Sequence, residues 1–370
     1  MKDKINVVIS GANITMGGPL TIYLMFLRYF NDNEEYNVTA FVNNKIQFQE
    51  LSKIKFIELK WYKKFIPLKL YYEYLYYFFY SKKLKNDIWI SLSDCSPFVK
   101  TKLLVSYFHN ALPTHKFKLI EIYFSPLLFL QKFYSYIFYK INIHRNSFII
   151  VQQSWFRKYI SESFNYNLEN IIVCHPLDSV TITNHNKNDN NIKKHMFVCP
   201  IKPVFYKNIE VVFKAFEVLN TNKIINYSFY ITINGCENAY SKYLYRKYKH
   251  LKNIHWCGAL PMNELSDLYK KSNTLVFLSN LESWGLPLTE AIHYKLNIIA
   301  KEKEYSRETI SDYKKVNFIN CDDSIELSEI LKSYIDSKNN NFSITYKPVI
   351  LMPYFSNLDK CIAYIKDIIN

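Results

Sequence analysis

Glycine is nearly absent from this chain, with six residues in 370. It is the residue that tolerates left-handed backbone and the close approach of other segments. The few loops that carry it are therefore places where a tight turn is needed. Cysteine shows no pairing pattern: seven residues are scattered without a Cys-x-x-Cys. An odd, dispersed set argues against a disulfide framework or zinc site and predicts reduced thiols in a cytosolic protein. Long apolar runs are missing too. The start, MKDKINVVISGAN, puts charges before a short apolar stretch, which reads as a strand and not as a secretory signal. The triplet Asn226-Tyr227-Ser228 is then no glycosylation acceptor. Leu119 to Tyr139 is long enough to span a bilayer, but Glu121, Gln131 and Lys132 interrupt it. No Asp-x-Asp occurs, and no nucleic-acid-binding motif accompanies the basic residues, so nucleic acid is not expected as a partner.

What the chain does contain is length, rings and positive charge. At 370 residues it exceeds one ordinary core and suits two domains. The formal net charge of +15 favours anionic partners such as nucleotide diphosphates or anionic lipid. Two aromatic, lysine-flanked stretches stand out, Trp61 to Lys85 and Lys116 to His144. Each is compatible both with the interface of an anionic bilayer and with the core of a tyrosine-rich protein.

The most informative stretch is Asn273 to Ala300, NTLVFLSNLESWGLPLTEAIHYKLNIIA. Leu275 to Leu278 reads as a buried strand, and Ser279 to Leu286 as a loop. A helix is expected from near Pro287, where the missing amide hydrogen costs nothing. Glu282 in the loop and Glu290 in the expected first turn have seven residues between them. Free amides at a helix start attract anions, and carboxylates beside them accept bonds from hydroxyl groups, as an acidic residue does for a ribose. The set suits a ligand with hydroxyls at both ends and an anionic middle, as in a nucleotide sugar.

The segment ESWGLPLTEA resembles the donor site of retaining glycosyltransferases of family 4 (glycosyl transferases group 1), with Trp284 where that family commonly has Phe. The resemblance extends along the chain. The first strand, Ile5 to Ser10, leads into GANITMGGP, where Gly17 and Gly18 precede a helix from about Pro19 to Phe30. Taken alone this is also a plain strand–helix turn; it is similar to the family's loop beside the donor diphosphate. FHNALP places His109 just past a strand end, similar to the family's histidine beneath the donor sugar. FIIVQQSWFRKYI and His175-Pro176-Leu177-Asp178 resemble segments that close the family's first domain. PIKPVFYKNIE resembles the loop that grips the donor phosphates. Lys207 matches the family's lysine before Asn208, while Val204 stands where an arginine is usual and Lys202 lies two residues earlier. Lysine carries the charge but not the bidentate fork. Lys295 and Asn297 replace the family's usual Gly and Pro, and Tyr305 to Thr309 resembles a donor-domain loop whose acid is Glu308.

The resemblance implies a GT-B fold: two doubly wound, Rossmann-like α/β domains facing across a cleft. The expected division is an N-terminal acceptor-side domain over 1–178, a polar linker over 179–195, a donor-binding domain over 196–355, and a C-terminal helix over 356–370 that rejoins the first domain. It implies a retaining hexosyltransferase moving sugar from a nucleotide-diphosphate donor to a glycan or lipid-linked acceptor in surface polysaccharide assembly. His109, Glu282 and Lys207 would be catalytic. Gly17, Gly18, Lys202, Lys207, Asn208, Glu282, Trp284, Gly285, Leu286 and Glu290 would bind the donor. With no Asp-x-Asp, neither metal nor cofactor is expected. The expected location is cytoplasmic, peripheral on an anionic membrane. A nucleotide-sugar epimerase or phosphorylase on the same fold, or a non-catalytic scaffold, are the alternatives.

Overall fold

The computed structural model describes residues 4–60, 62, 66–176, 194–320, 322–338 and 342–368. Most of the expected linker, up to residue 193, lies outside them, as do Trp61, residues 63–65, Leu177 and Asp178. The chain forms two compact units: residues 1–114, 131–179 and 350–370 in one, residues 115–130 and 180–349 in the other.

Among the described residues, the first unit is built on an eight-stranded sheet, wholly parallel. Its strands are β1 (Ile5–Ser10), β2 (Tyr36–Val42), β3 (Ile54–Glu58), β4 (Ile88–Ser91), β5 (Leu103–Phe108), β6 (Phe148–Val151), β7 (Ile171–Cys174) and a late strand, Tyr354–Phe355. Their order is β3-β2-β1-β4-β5-β6-β7 with the late strand beside β7. Strands in such sheets are covered on both faces and so read as apolar runs. Val7 and Ile9 point into one core with helix α1 (Gly17–Asp32) and the C-terminal helix Leu358–Asp367. Val8 points into the other, with Phe41, Trp89 and Tyr77. Helix α1 starts at Gly17, earlier than expected, and Tyr23 on it explains Gly11: a Cβ there would lie 2.8 Å from that ring.

The run after β3 forms helix α2 (Ile66–Tyr71), a π-helical turn Tyr72–Tyr76 and helix α3 (Tyr77–Lys83). Part of it packs into the core and part is exposed. Glu73 and Tyr77 are fully buried, whereas Ile66, Leu75 and Phe79 are exposed. The second aromatic stretch forms helices α4 (Leu119–Phe124) and α5 (Pro126–Lys140), with Ser154–Phe164 following β6 as α6.

The second unit carries a six-stranded parallel sheet in the order β10-β9-β8-β11-β12-β13. These are β8 (His195–Cys199), β9 (Tyr227–Ile231), β10 (Ile254–Trp256), β11 (Thr274–Phe277), β12 (Asn297–Lys301) and β13 (Val316–Ile319); the late strand of the first unit is β14. Helices α7 (Ile209–Thr221), α8 (Ala239–Tyr248), α9 (Met262–Lys271), α10 (Leu286–His293), α11 (Glu304–Ile310) and α12 (Ser324–Ile335) complete it, and the C-terminal helix is α13. The helical spacing of Ile209, Val212, Phe213, Phe216 and Leu219 buries all five on α7. Residues 115–130 also belong to this unit, although they lie between β5 and β6 in the chain. Phe124 anchors them against Tyr240 and Tyr243, with ring centroids 5.5 and 5.4 Å away. His115 meets the ring of Tyr206 at 5.3 Å, and its Nε2 lies 2.5 Å from the Glu121 carboxylate.

Candidate active site

Open parallel sheets bind ligands at the carboxyl ends of their strands, where the strand order reverses. In the second unit that point falls between β8 and β11. The loop after β8 carries Lys202, Lys207 and Asn208; the loop after β11 carries Glu282, Trp284 and Gly285. The tertiary structure joins the two loops by an ion pair, Lys207 Nζ to Glu282 Oε1, between side chains only 14 % and 15 % exposed. Asn280 N also donates to Tyr206 O at 2.8 Å. Burial works against the charge of Lys207, but Glu282 outweighs it, so the ammonium's pKa stands above its ordinary value. Lys202 is exposed.

Asn208 follows in left-handed backbone, φ 58°, directly before α7. Its side chain donates to Asp322 Oδ1 at 2.8 Å, and Lys301 Nζ donates to the same oxygen at 2.6 Å. Lys301 ends β12 and is 4 % exposed. A buried lysine thus props an aspartate that holds the residue beside Lys207. Nothing in the local sequence marks Lys301 or Asp322, because their partner lies about a hundred positions away and only the strand order brings them together.

The glutamate turn departs from expectation in one respect. Gly285 takes φ 88°, a conformation that favours glycine, and α10 begins immediately at Leu286. Glu290 therefore sits beyond the first turn, not within it. Its carboxylate accepts from the Tyr269 hydroxyl at 2.7 Å. Burial raises the carboxyl's pKa above the usual range, and that bond opposes the shift. Trp284 is buried; its indole donates to Thr289 at 2.8 Å and its carbonyl accepts from Thr309 on α11 at 2.5 Å. The indole braces the turn from beneath. Tyr305 adds a second brace through its hydroxyl to Ser279 O, 2.7 Å, and Glu308 is buried on the same helix.

In the first unit the order reverses between β1 and β4. Gly17, with φ 71°, and Gly18 form the start of α1 after β1. His109 follows β5. The residue that holds it was not legible in the sequence: Asp94, in the loop after β4, at φ 53°. Asp94 Oδ1 accepts from the backbone amides of His109 and Asn110 at 2.8 and 3.1 Å and from Tyr139 OH at 2.9 Å. Its Oδ2 lies 3.3 Å from His109 Nε2. A proton on Nε2 would face that oxygen, while Nδ1 is buried and without a hydrogen-bond partner among the described residues.

Two sheets of this order, wholly parallel and helix-covered, are those of the GT-B fold, and comparison with known structures agrees. HepE of Anabaena, in complex with UDP and glucose, superposes with TM-score 0.62 at 12% identity, covering 90% of each chain. A glycosyltransferase from Rickettsia africae gives 0.62 at 15% identity, covering 91% of this chain and 89% of that one. WaaG, a glycosyltransferase involved in lipopolysaccharide biosynthesis, gives 0.61 at 12%, covering 89% and 90%. The family model described as "Glycosyl transferases group 1" matches residues 181–346, a span that includes Lys207, Glu282 and Glu290. No curated protein sequence matches the chain significantly. Among the described residues no helix is long and apolar enough to cross a membrane, and no cluster of His, Cys, Asp or Glu is arranged to hold a metal ion.

Proposed function

We propose that the protein is a retaining glycosyltransferase of family 4. It moves a hexose-type sugar from a nucleotide-diphosphate donor to a glycan or lipid-linked acceptor in the assembly of a surface polysaccharide. The observation that carries this reading is the Lys207–Glu282 pair at the switch point of the second sheet. A largely buried ammonium held by one carboxylate is a ready receiver for an anion, and Glu282 is released to accept bonds from sugar hydroxyls. Glu290, fixed by Tyr269, takes the ribose hydroxyls. The names of the structural neighbours support a nucleotide sugar as donor and a polysaccharide as product.

In the proposed reaction the bond from the anomeric carbon to the phosphate oxygen breaks. An acceptor oxygen bonds to that carbon on the same face, and the acceptor's proton passes to the leaving phosphate. Lys207 stabilises the charge that grows there, with helix-start amides near Gly285 and Gly17-Gly18. Lys202 and Asn208 complete the phosphate loop, Leu286 and Trp284 shape the turn, and His109 orients the sugar or stabilises its cationic ring. Cationic side chains take the place of a chelated metal, since the chain has no Asp-x-Asp.

Peripheral attachment to an anionic membrane at the cytoplasmic face is part of the same reading. Leu127, Leu130, Phe133 and Ile137 form an exposed stripe along α5, with Leu119 and Tyr123 exposed on α4. Flotation should depend on anionic lipid and weaken in high salt; indifference to lipid charge would end that part of the reading. For the chemistry, a thermal-shift screen of UDP-, GDP- and dTDP-sugars selects the donor. Product analysis with and without an acceptor then separates transfer from epimerisation or phosphorolysis. Sugar released or altered equally in both conditions would overturn the assignment.

A further inference from the structure

The π-helical turn at Tyr72–Tyr76 turns a carboxyl group into an apolar core. Glu73 is 0 % exposed, among Tyr62, Tyr77 and Trp89. One of its oxygens is held by the Tyr62 hydroxyl. The other, like the hydroxyls of Tyr74 and Tyr77, has no partner in good hydrogen-bond geometry among the described residues, although the side chains of Cys95 and Ser93 lie near enough to Glu73 to act on its carboxyl. Burying such a group is costly, and π-turns within helices are often found at functional sites. Glu73 is fully buried, so its use must be sought in what the helix touches.

It touches the loop that carries Asp94. The backbone carbonyl of Glu73 accepts from Phe98 N at 2.9 Å. One turn earlier, Lys69 Nζ donates to Ser93 O at 3.0 Å and lies 4.3 Å from the centre of the Phe138 ring. Two residues of one helix thus grip the loop at both ends. From within, Cys95 O accepts from Ser91 and Ser106 hydroxyls at 2.9 and 3.2 Å. Asp94 lies between these grips in left-handed backbone, which a non-glycine residue keeps only when its surroundings impose it.

We propose that Glu73 is a positioning residue for His109, acting through the loop 93–98 to set the angle at which Asp94 meets the imidazole. The inference rests on the reading of His109 as a site residue. Burial is the largest influence on the Glu73 carboxyl and raises its pKa, against the pull of Lys69 and of the bond from Tyr62. Burial thus works against the charged form of this carboxyl. The other titratable groups facing it are Tyr74, Tyr77 and Cys95, all held in their neutral forms by burial.

The test is the imidazole itself. In the full chain labelled with 15N-histidine, the His109 signals are assigned by their loss in His109→Ala. They should report an Nε2-protonated ring. Glu73→Gln, which matches the neutral acid in shape, should keep those signals and the wild-type turnover. Glu73→Leu should move the signals and lower kcat about tenfold or more, with nucleotide affinity unchanged. Should the leucine variant fail to fold, Tyr62→Phe removes the hydroxyl that orients the carboxyl and should move the same signals. Unmoved His109 signals in a folded variant overturn the proposal whatever the turnover. Moved signals with unaltered turnover support the positioning and count instead against His109 as a site residue.

Discussion

The two units hold their candidate functional side chains in opposite ways. In the second, charge is set against charge: Lys207 on Glu282, and Lys301 on Asp322 with Asn208 attached. Such pairs can be exchanged for an incoming anion. In the first, the His109 backbone amide donates to Asp94, whose carboxylate also accepts from Tyr139, and the imidazole Nδ1 has no hydrogen-bond partner among the described residues. The difference is one of chemistry: ion pairs in one unit, an aspartate-centred hydrogen-bond cluster in the other. The two were also unequally visible. Lys207 and Glu282 lie inside recognisable motifs, whereas Asp94 and Tyr139, like Lys301 and Asp322, lie at positions that no motif connects.

The comparison is most sharply tested at Lys207. Lys207→Ala should lower kcat by at least about 100-fold, the scale of losing a donor to a developing oxyanion. It also strands Glu282 without its counter-ion and should cost about 3 kcal/mol of stability by denaturant titration. A variant with full turnover would dissolve the exchange model. Of comparable size, Glu290→Ala should abolish transfer, with nucleotide binding weakened about 10- to 100-fold by calorimetry, as for a lost charged hydrogen bond. Its fold should be intact, because among the described residues the Glu290 side chain has one hydrogen-bond partner, the Tyr269 hydroxyl on α9.

Asp94→Asn should act in the other direction. Turnover should fall about tenfold through a misdirected His109, with nucleotide affinity as in wild type; a loss of affinity instead would erase the contrast between the units. A smaller effect is expected with pH. The carboxyl of Glu290 is raised above the ordinary glutamate value, and its ionised form accepts the ribose hydroxyls. Nucleotide affinity should therefore fall as pH is lowered, starting above the usual glutamate range, and Glu290→Gln should flatten that limb. Smallest is Asn208. Replacement by Gly, which takes left-handed backbone freely, should be near neutral in stability, while Val should cost about 1–2 kcal/mol.

Much of the site was legible because its chemistry is local. Glu282, Gly285 and Glu290 lie within one strand–turn–helix, and the apolar run before them can only be a buried strand. The exact helix start was not: Gly285 alone supports left-handed backbone, so α10 begins at Leu286 and Glu290 falls outside the first turn. Trp284 likewise reads as part of a binding motif, yet its ring is committed to Thr289. Residues 115–130 read as an aromatic stretch of the first half of the chain, and only packing shows that Phe124 and His115 belong with the second sheet.

By itself the amino-acid order determined individual strands and helices and the glutamate turn, because strand burial, helix spacing and glycine conformation are properties of neighbouring residues; the doubly wound arrangement was implied by the family resemblance and is seen in the sheet order. Tertiary structure alone decided which distant side chains meet: Lys207 with Glu282, Asp94 with His109, Glu73 beneath the loop that carries Asp94. Those pairings depend on strand order and on where the core excludes water, and neither is written in any single stretch of the chain.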